Sequence, residues 1–100
     1  MAIIHRRWRH EDRDRLRQQV LAALPGPAGS PLSTPAIRQR QQFRDLDTYE
    51  REVYIINALR HLADHGWVQK VNVPGDTRAF WRRTPAGEER KNRGTPPPAQ

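Results

Sequence analysis

Cysteine is absent from the 100 residues, which excludes disulfides and thiolate metal centres. No apolar run approaches the roughly 18 residues of a membrane span. The opening stretch MAIIHRRWRHEDRD lacks the apolar segment of a signal peptide, so a soluble, cytoplasmic chain is expected. Glycine-rich phosphate loops are missing. Ser30, Ser33 and the histidines stand in no nucleophile-elbow context, so neither an enzyme nor a cofactor is expected. At this length only about 60–65% of the chain's surface can be buried, which favours one small domain without a deep enclosed site.

What the chain has in excess is positive charge. Lys and Arg number 18 against 11 Asp and Glu, a net charge of +7 and a pI near 11.2. A pI above roughly 9 is the electrostatic footprint of a nucleic-acid binder. Sixteen of the 18 basic residues are Arg, whose planar, forked guanidinium suits phosphate and guanine. A GC-rich genome would explain that Arg preference equally well, but not the net charge.

Periodicity and punctuation divide the chain. Leu16, Val20, Ala23 and Leu24 fall at helical spacing, which predicts a first helix over 11–24 that ends at Pro25-Gly26-Pro27. Thr34-Pro35 reads as an N-cap with proline at the first helical position, opening a short surface helix to about Gln42. Asp47 with Glu50 three residues on has capping-box character and opens a third helix, about Thr48 to His65, which Gly66 stops. Val53, Ile56, Leu59 and Leu62, widened by Ile55 and Ala63, read as its buried stripe. Trp67 to Val73 and Arg78 to Arg83 read as strands joined through Val73-Pro74-Gly75-Asp76, the pattern of a type II turn. Thr84-Pro85 opens a short final helical turn. The domain is therefore expected over 11–90, with a basic arm at 1–10 and a disordered tail at 91–100 (KNRGTPPPAQ).

Two stretches resemble a known family. Ala58-Leu59-Arg60-His61-Leu62-Ala63-Asp64-His65-Gly66-Trp67-Val68 is similar to the end of the recognition helix in winged-helix regulators. Asp76-Thr77-Arg78-Ala79 with Thr84-Pro85-Ala86-Gly87-Glu88 resembles the wing and post-wing pattern of the multiple-antibiotic-resistance (MarR) family. The resemblance covers roughly residues 13 to 90 and lacks the long flanking helices through which that family dimerises. It implies an α+β winged helix-turn-helix, three helices followed by a two-stranded β-hairpin wing, whose third helix enters the major groove of double-stranded DNA. By position it implies Arg51, Tyr54, Asn57 and His61 as the groove-facing residues, with Asp76 and Arg78 near the wing tip.

Charge sorts the remaining candidates. Residues 1–24 hold six Arg against three acids and residues 66–100 hold seven basic against three acidic, whereas 48–65 has Arg51 and Arg60 against Glu50, Glu52 and Asp64. Arm and wing would thus grip phosphates, which set affinity, while the third helix reads bases. Arg6, Arg7 and Arg9 around Trp8 form the candidate arm, although Ile3, Ile4 and Trp8 packing onto the domain is an equally ordinary outcome. Arg38 and Arg40 are candidate phosphate contacts, and Asn57 suits adenine as Arg51 suits guanine. Along the second strand Arg78, Phe80 and Arg82 share one face, and Ala79, Trp81 and Arg83 the other; Arg78, Arg82 and Arg83 are the wing's candidate contacts. Trp67 and Trp81 read as core. His61 and His65 have zinc-ligand spacing but no third ligand, so no metal is expected. The expected function is a small sequence-specific regulator, a repressor of bacterial, plasmid or phage origin acting at the nucleoid. The alternative is a protein-interaction winged helix that offers Glu50, Tyr54 and Asp64 to a partner. A homodimer, by Ile3-Ile4 edge pairing, is open but not indicated.

Overall fold

A computed structural model describes residues 8–94. The Asp12 carboxylate accepts the Arg9 backbone N–H at 2.9 Å and opens α1 (His10–Ala23). Leu16, Val20 and Leu21 are its buried edge, and Leu24 follows them into the core. A two-residue strand, β1 (Leu32–Ser33), leads straight into α2 (Thr34–Arg38). The N-cap here is Ser33 rather than the expected Thr34: the Ser33 hydroxyl accepts the Ala36 N–H at 3.3 Å. Thr34 is engaged elsewhere, donating to the Ala79 carbonyl at 3.2 Å and accepting the Trp81 indole N–H at 2.9 Å. The second helix is also shorter than expected and gives way to a 3-10 turn, Gln41–Phe43.

The expected capping box is present: Asp47 accepts the Glu50 N–H at 2.7 Å, and Glu50 accepts the Asp47 N–H at 3.0 Å. It opens α3 (Thr48–Asp64). Gly66 closes that helix at φ +75°, a left-handed conformation that costs glycine little. Its N–H reaches the Ala63 carbonyl, and the Trp67 N–H reaches Leu62, both at 2.9 Å, the paired bonds of a Schellman ending. The strands β2 (Val68–Val71) and β3 (Phe80–Arg83) follow, joined through a turn with Gly75 at φ +81°. Thr84 then caps α4 (Pro85–Gly94) by accepting the Gly87 N–H at 3.0 Å.

The described residues form a small α+β domain with four helices and a three-stranded antiparallel sheet in the order β1-β3-β2. Three helices and a two-stranded hairpin were expected. The additional strand pairs Leu32 with Trp81 and Ser33 with Phe80, so β3 is central. The final helical turn is a ten-residue helix, and it runs through Gly94 into the segment expected as a disordered tail. The rest of that tail, and most of the expected arm, lie outside the described residues. The core joins α1 to α3 through Val20, Ile55 and Leu59, with Ile37 of α2, Phe43 of the 3-10 turn and Trp81 of the sheet closing it. Among the described residues no helix is long and apolar enough to cross a membrane.

Candidate nucleic-acid interface

The orientation of α3 decides which side chains face outward. Ile55, Ala58, Leu59 and Leu62 are buried. Val53 is half-exposed and packs on no core residue. Of the expected stripe, Leu59, Leu62 and the flanking Ile55 are buried, and Ile56 and Ala63 pack on the core. Val53 is the residue that leaves it, at the far end of a row (Val53, Ile56, Leu59, Leu62) stepped by three throughout. A row of threes falls about 60° short at each step on a 3.6-residue helix and winds off the face. The buried stripe alternates threes and fours instead. The outward surface therefore carries Tyr49, Val53, Asn57, Arg60 and Asp64, all exposed except half-exposed Val53.

That rotation redistributes the expected groove-facing set. Asn57 stays outward. Arg51 turns toward the preceding loop, where its Nε donates to the Leu46 carbonyl at 2.9 Å. Tyr54 lies half-buried against Trp8, ring centroids 4.6 Å apart. His61 faces the α1 side and meets His65 at a tilt of 55°, centroids 4.6 Å apart, and the His65 ring in turn stacks on Trp67 at 4.4 Å. Burial, followed by the Arg17 and His65 charges, pushes the His61 imidazole below its ordinary pKa. Arg60 was missed; its position opposite Ile55 and Leu62 would have marked it once the stripe was set correctly.

Acidic residues at the start of a reading helix would repel a polyanion. Glu50 is only 6% exposed, and besides capping α3 it accepts the Trp8 indole N–H at 2.9 Å. It is thereby withdrawn from the surface, whereas Glu52 remains exposed. The same packing occupies Glu50 and Tyr54, two of the three residues of the alternative protein-binding face.

The hairpin after α3 is asymmetric in charge. Gln69 pairs with Arg82 and Val71 with Phe80 across the ladder, which puts these four on one face. The Arg82 Nε donates to the Gln69 side-chain Oε1 at 3.4 Å. Arg78 lies 5.4 Å over the Phe80 ring and grips Asp76 at 2.6 Å. The guanidinium holds the Asp76 carboxyl down to about 2, so this pair stays ionised at neutral pH. Lys70 and Arg78 are exposed and Arg82 half-exposed.

Arg83 overturns an expectation. It was expected to reach DNA, but strand alternation sends it inward with Trp81 and leaves it 7% exposed. Its guanidinium donates to the carbonyls of Leu21, Ala22 and Leu24 at the end of α1, and to Glu88 at 2.7 Å. This arginine ties the sheet to α1 and α4. Trp81 is buried, and Trp67 sits between His65 and Arg90, the latter 4.8 Å over its ring.

Of the other candidates, Arg9 and Arg40 are exposed, while Arg6 and Arg7 lie outside the described residues. Arg38 lines a cleft of about 170 Å³ between α2 and α3, where its Nη2 donates weakly to the Glu52 carbonyl at 3.4 Å. Its Nε is buried without a partner. An unmet buried donor costs about 1–3 kcal/mol. Arg38→Met is accordingly expected to leave thermal stability unchanged or slightly raised; a loss above about 1 kcal/mol, the worth of an ordinary hydrogen bond, would contradict this. Compared with known proteins, the chain matches no family model, no curated protein and no solved structure.

Proposed function

We propose that this domain is a winged helix-turn-helix that binds double-stranded DNA, with α3 in the major groove and the β2–β3 hairpin on the flanking backbone. The observation that carries the reading is the hairpin directly beyond α3, which sets Lys70, Arg78 and Arg82 against a single acid, Asp76. The net charge of +7 supplies the long-range attraction that such binding needs. The order α1-β1-α2-α3-β2-β3, with β1 on the far side of β3 from β2, supports the winged-helix assignment. Withdrawal of Glu50 into the cap removes one repulsive charge from the helix that would enter the groove. Asn57 and Arg60 are the base-reading residues, since amide and guanidinium forks match adenine and guanine edges. Arg38, Arg78 and Arg82 are the phosphate contacts. The role is that of a small transcriptional regulator of bacterial, plasmid or phage origin.

The test is selection of bound sequences from a random duplex pool at physiological salt. An enriched motif is expected. Asn57→Ala and Arg60→Ala should each relax one or two positions of it, at about 1–3 kcal/mol of lost discrimination. Arg78→Ala should weaken all sequences alike. One observation favours a second reading: Tyr49 and Val53 put apolar surface on the outward side of α3, as a protein-docking helix would. A pool without enrichment, and without salt-sensitive binding, would decide for that reading against DNA.

A further inference from the structure

Helix α1 carries cations on the flank of α3 that lies opposite Arg38. Arg13 and Arg17, one helical turn apart, line a groove whose other rim is Tyr54, Asn57 and Ala58. Arg38 lines the cleft against Thr48, Arg51 and Glu52. At about 100° per residue, Tyr54 and Glu52 are about 160° apart around α3, so the two sets of arginines flank its outward surface from opposite sides. Among the described residues no acid lines the α1 groove. Glu50 shares this side of α3 with Asn57, two turns back, but it is 6% exposed and accepts the Trp8 indole N–H. Arg13 is exposed, and among the described residues its guanidinium makes no hydrogen bond or ion pair. Arg17 holds Asp14 at 3.2 Å, in a partly exposed pair of the weak surface kind.

We infer that Arg13 and Arg17 form a phosphate rail on α1, which holds the backbone of one DNA strand while Arg38 holds that of the other. The inference rests on the reading of α3 as the helix that enters the groove. A major groove about 12 Å wide just admits a helix about 10–12 Å across, so both backbones run along the flanks of that helix. Cations that project from either flank meet phosphate there. Arg13 and Arg17 stand about 6 Å apart along α1, and successive phosphates of one strand rise about 3.4 Å along the duplex. Two guanidiniums on flexible stems therefore reach two phosphates one or two steps apart. Each fork takes a phosphate through two parallel N–H···O bonds. The Arg17–Asp14 pair is weak enough to yield to that exchange, and Arg13 has nothing to give up.

The experiment measures how affinity for a labelled duplex depends on salt, for the full chain and three variants, with melting by circular dichroism as the folding control. Arg13→Gln combined with Arg17→Gln should shallow the slope of log affinity against log salt by about 2. The preferred sequence should not change, because phosphate contacts carry no sequence. Arg13→Gln alone removes no intramolecular bond and should shallow the slope by about 1, which decides the matter if the double variant melts early. Arg15→Gln removes the same charge from the far side of α1, beside Gln42 and Asp45, and should leave the parent slope intact. A steep parent slope that neither Arg13→Gln nor the double variant alters overturns the rail and leaves DNA binding standing. An equal loss from Arg15→Gln also overturns it, since the effect would then be one of net charge. A parent that binds no duplex overturns the DNA reading and the rail together.

Discussion

Arg83→Met is expected to lose about 3 kcal/mol of folding stability, because it strands a half-exposed carboxylate and several buried carbonyls at once. The Arg83 guanidinium is the donor for the Leu21, Ala22 and Leu24 carbonyls, which lie at the end of α1, where helical partners run out. Methionine keeps the apolar stem and removes all of those donors. Glu88 would be left without its 2.7 Å partner, and Arg83 presently holds that carboxyl below its usual pKa. In a domain of this size the loss corresponds to a fall in Tm of roughly 12–24 °C. Thermal unfolding followed by circular dichroism measures it. The contrast with Arg38→Met is the sharper check, since the same substitution at a partnerless Nε should cost nothing. A stable Arg83→Met protein that binds DNA poorly would return Arg83 to the interface.

Gly87→Ala should cost about as much, near 3 kcal/mol, the upper end for forcing extra atoms into a packed site. A Cβ on Gly87 would stand 1.7 Å from the Trp67 carbonyl oxygen and 2.7 Å from its carbon. Those atoms are backbone, and the same oxygen accepts the Thr84 N–H at 3.1 Å, so it cannot swing aside. Helix α4 would have to lift away, breaking the Arg83–Glu88 pair and the contact of Arg90 with Trp67. Urea unfolding is the measurement, and a loss under about 1 kcal/mol would mean that α4 does not rest on the Trp67 peptide.

Helix α3 and the hairpin were legible because their boundaries are written in local chemistry. Asp47 with Glu50 caps one end, Gly66 stops the other, and Gly75 turns the ribbon. β1 was not legible, since two residues, Leu32 and Ser33, carry no periodicity; only Trp81 and Phe80 across the sheet make them a strand. The length of α4 was hidden by the prolines that follow it. Lys91 and Arg93 suit the negative end of a helix, and Arg93 pairs with Glu89 at 3.5 Å, one turn back.

The candidate site was read less well than the fold, for one recurring reason. Alternation along β3 correctly set Arg83 with Trp81, but a charged residue was taken to face solvent. Its partners are backbone carbonyls some 60 residues away in sequence, brought close by tertiary packing alone. Tyr54 and Glu50 were likewise taken for surface groups, and Trp8 covers both. On α3 a rotation of about one residue's arc exchanged Arg51 and His61 for Arg60.

The most direct test of DNA binding is the salt dependence of affinity for a labelled duplex of about 20 base pairs, read by fluorescence anisotropy. With roughly 4–6 phosphates neutralised, log affinity should fall against log salt with a slope of about −4 to −5. Joint replacement of Arg78 and Arg82 by Ala should shallow that slope by about 2, near one unit per lost phosphate contact. An affinity that ignores salt between dilute and physiological buffer, or a slope unchanged by the double replacement, would contradict a DNA-binding hairpin.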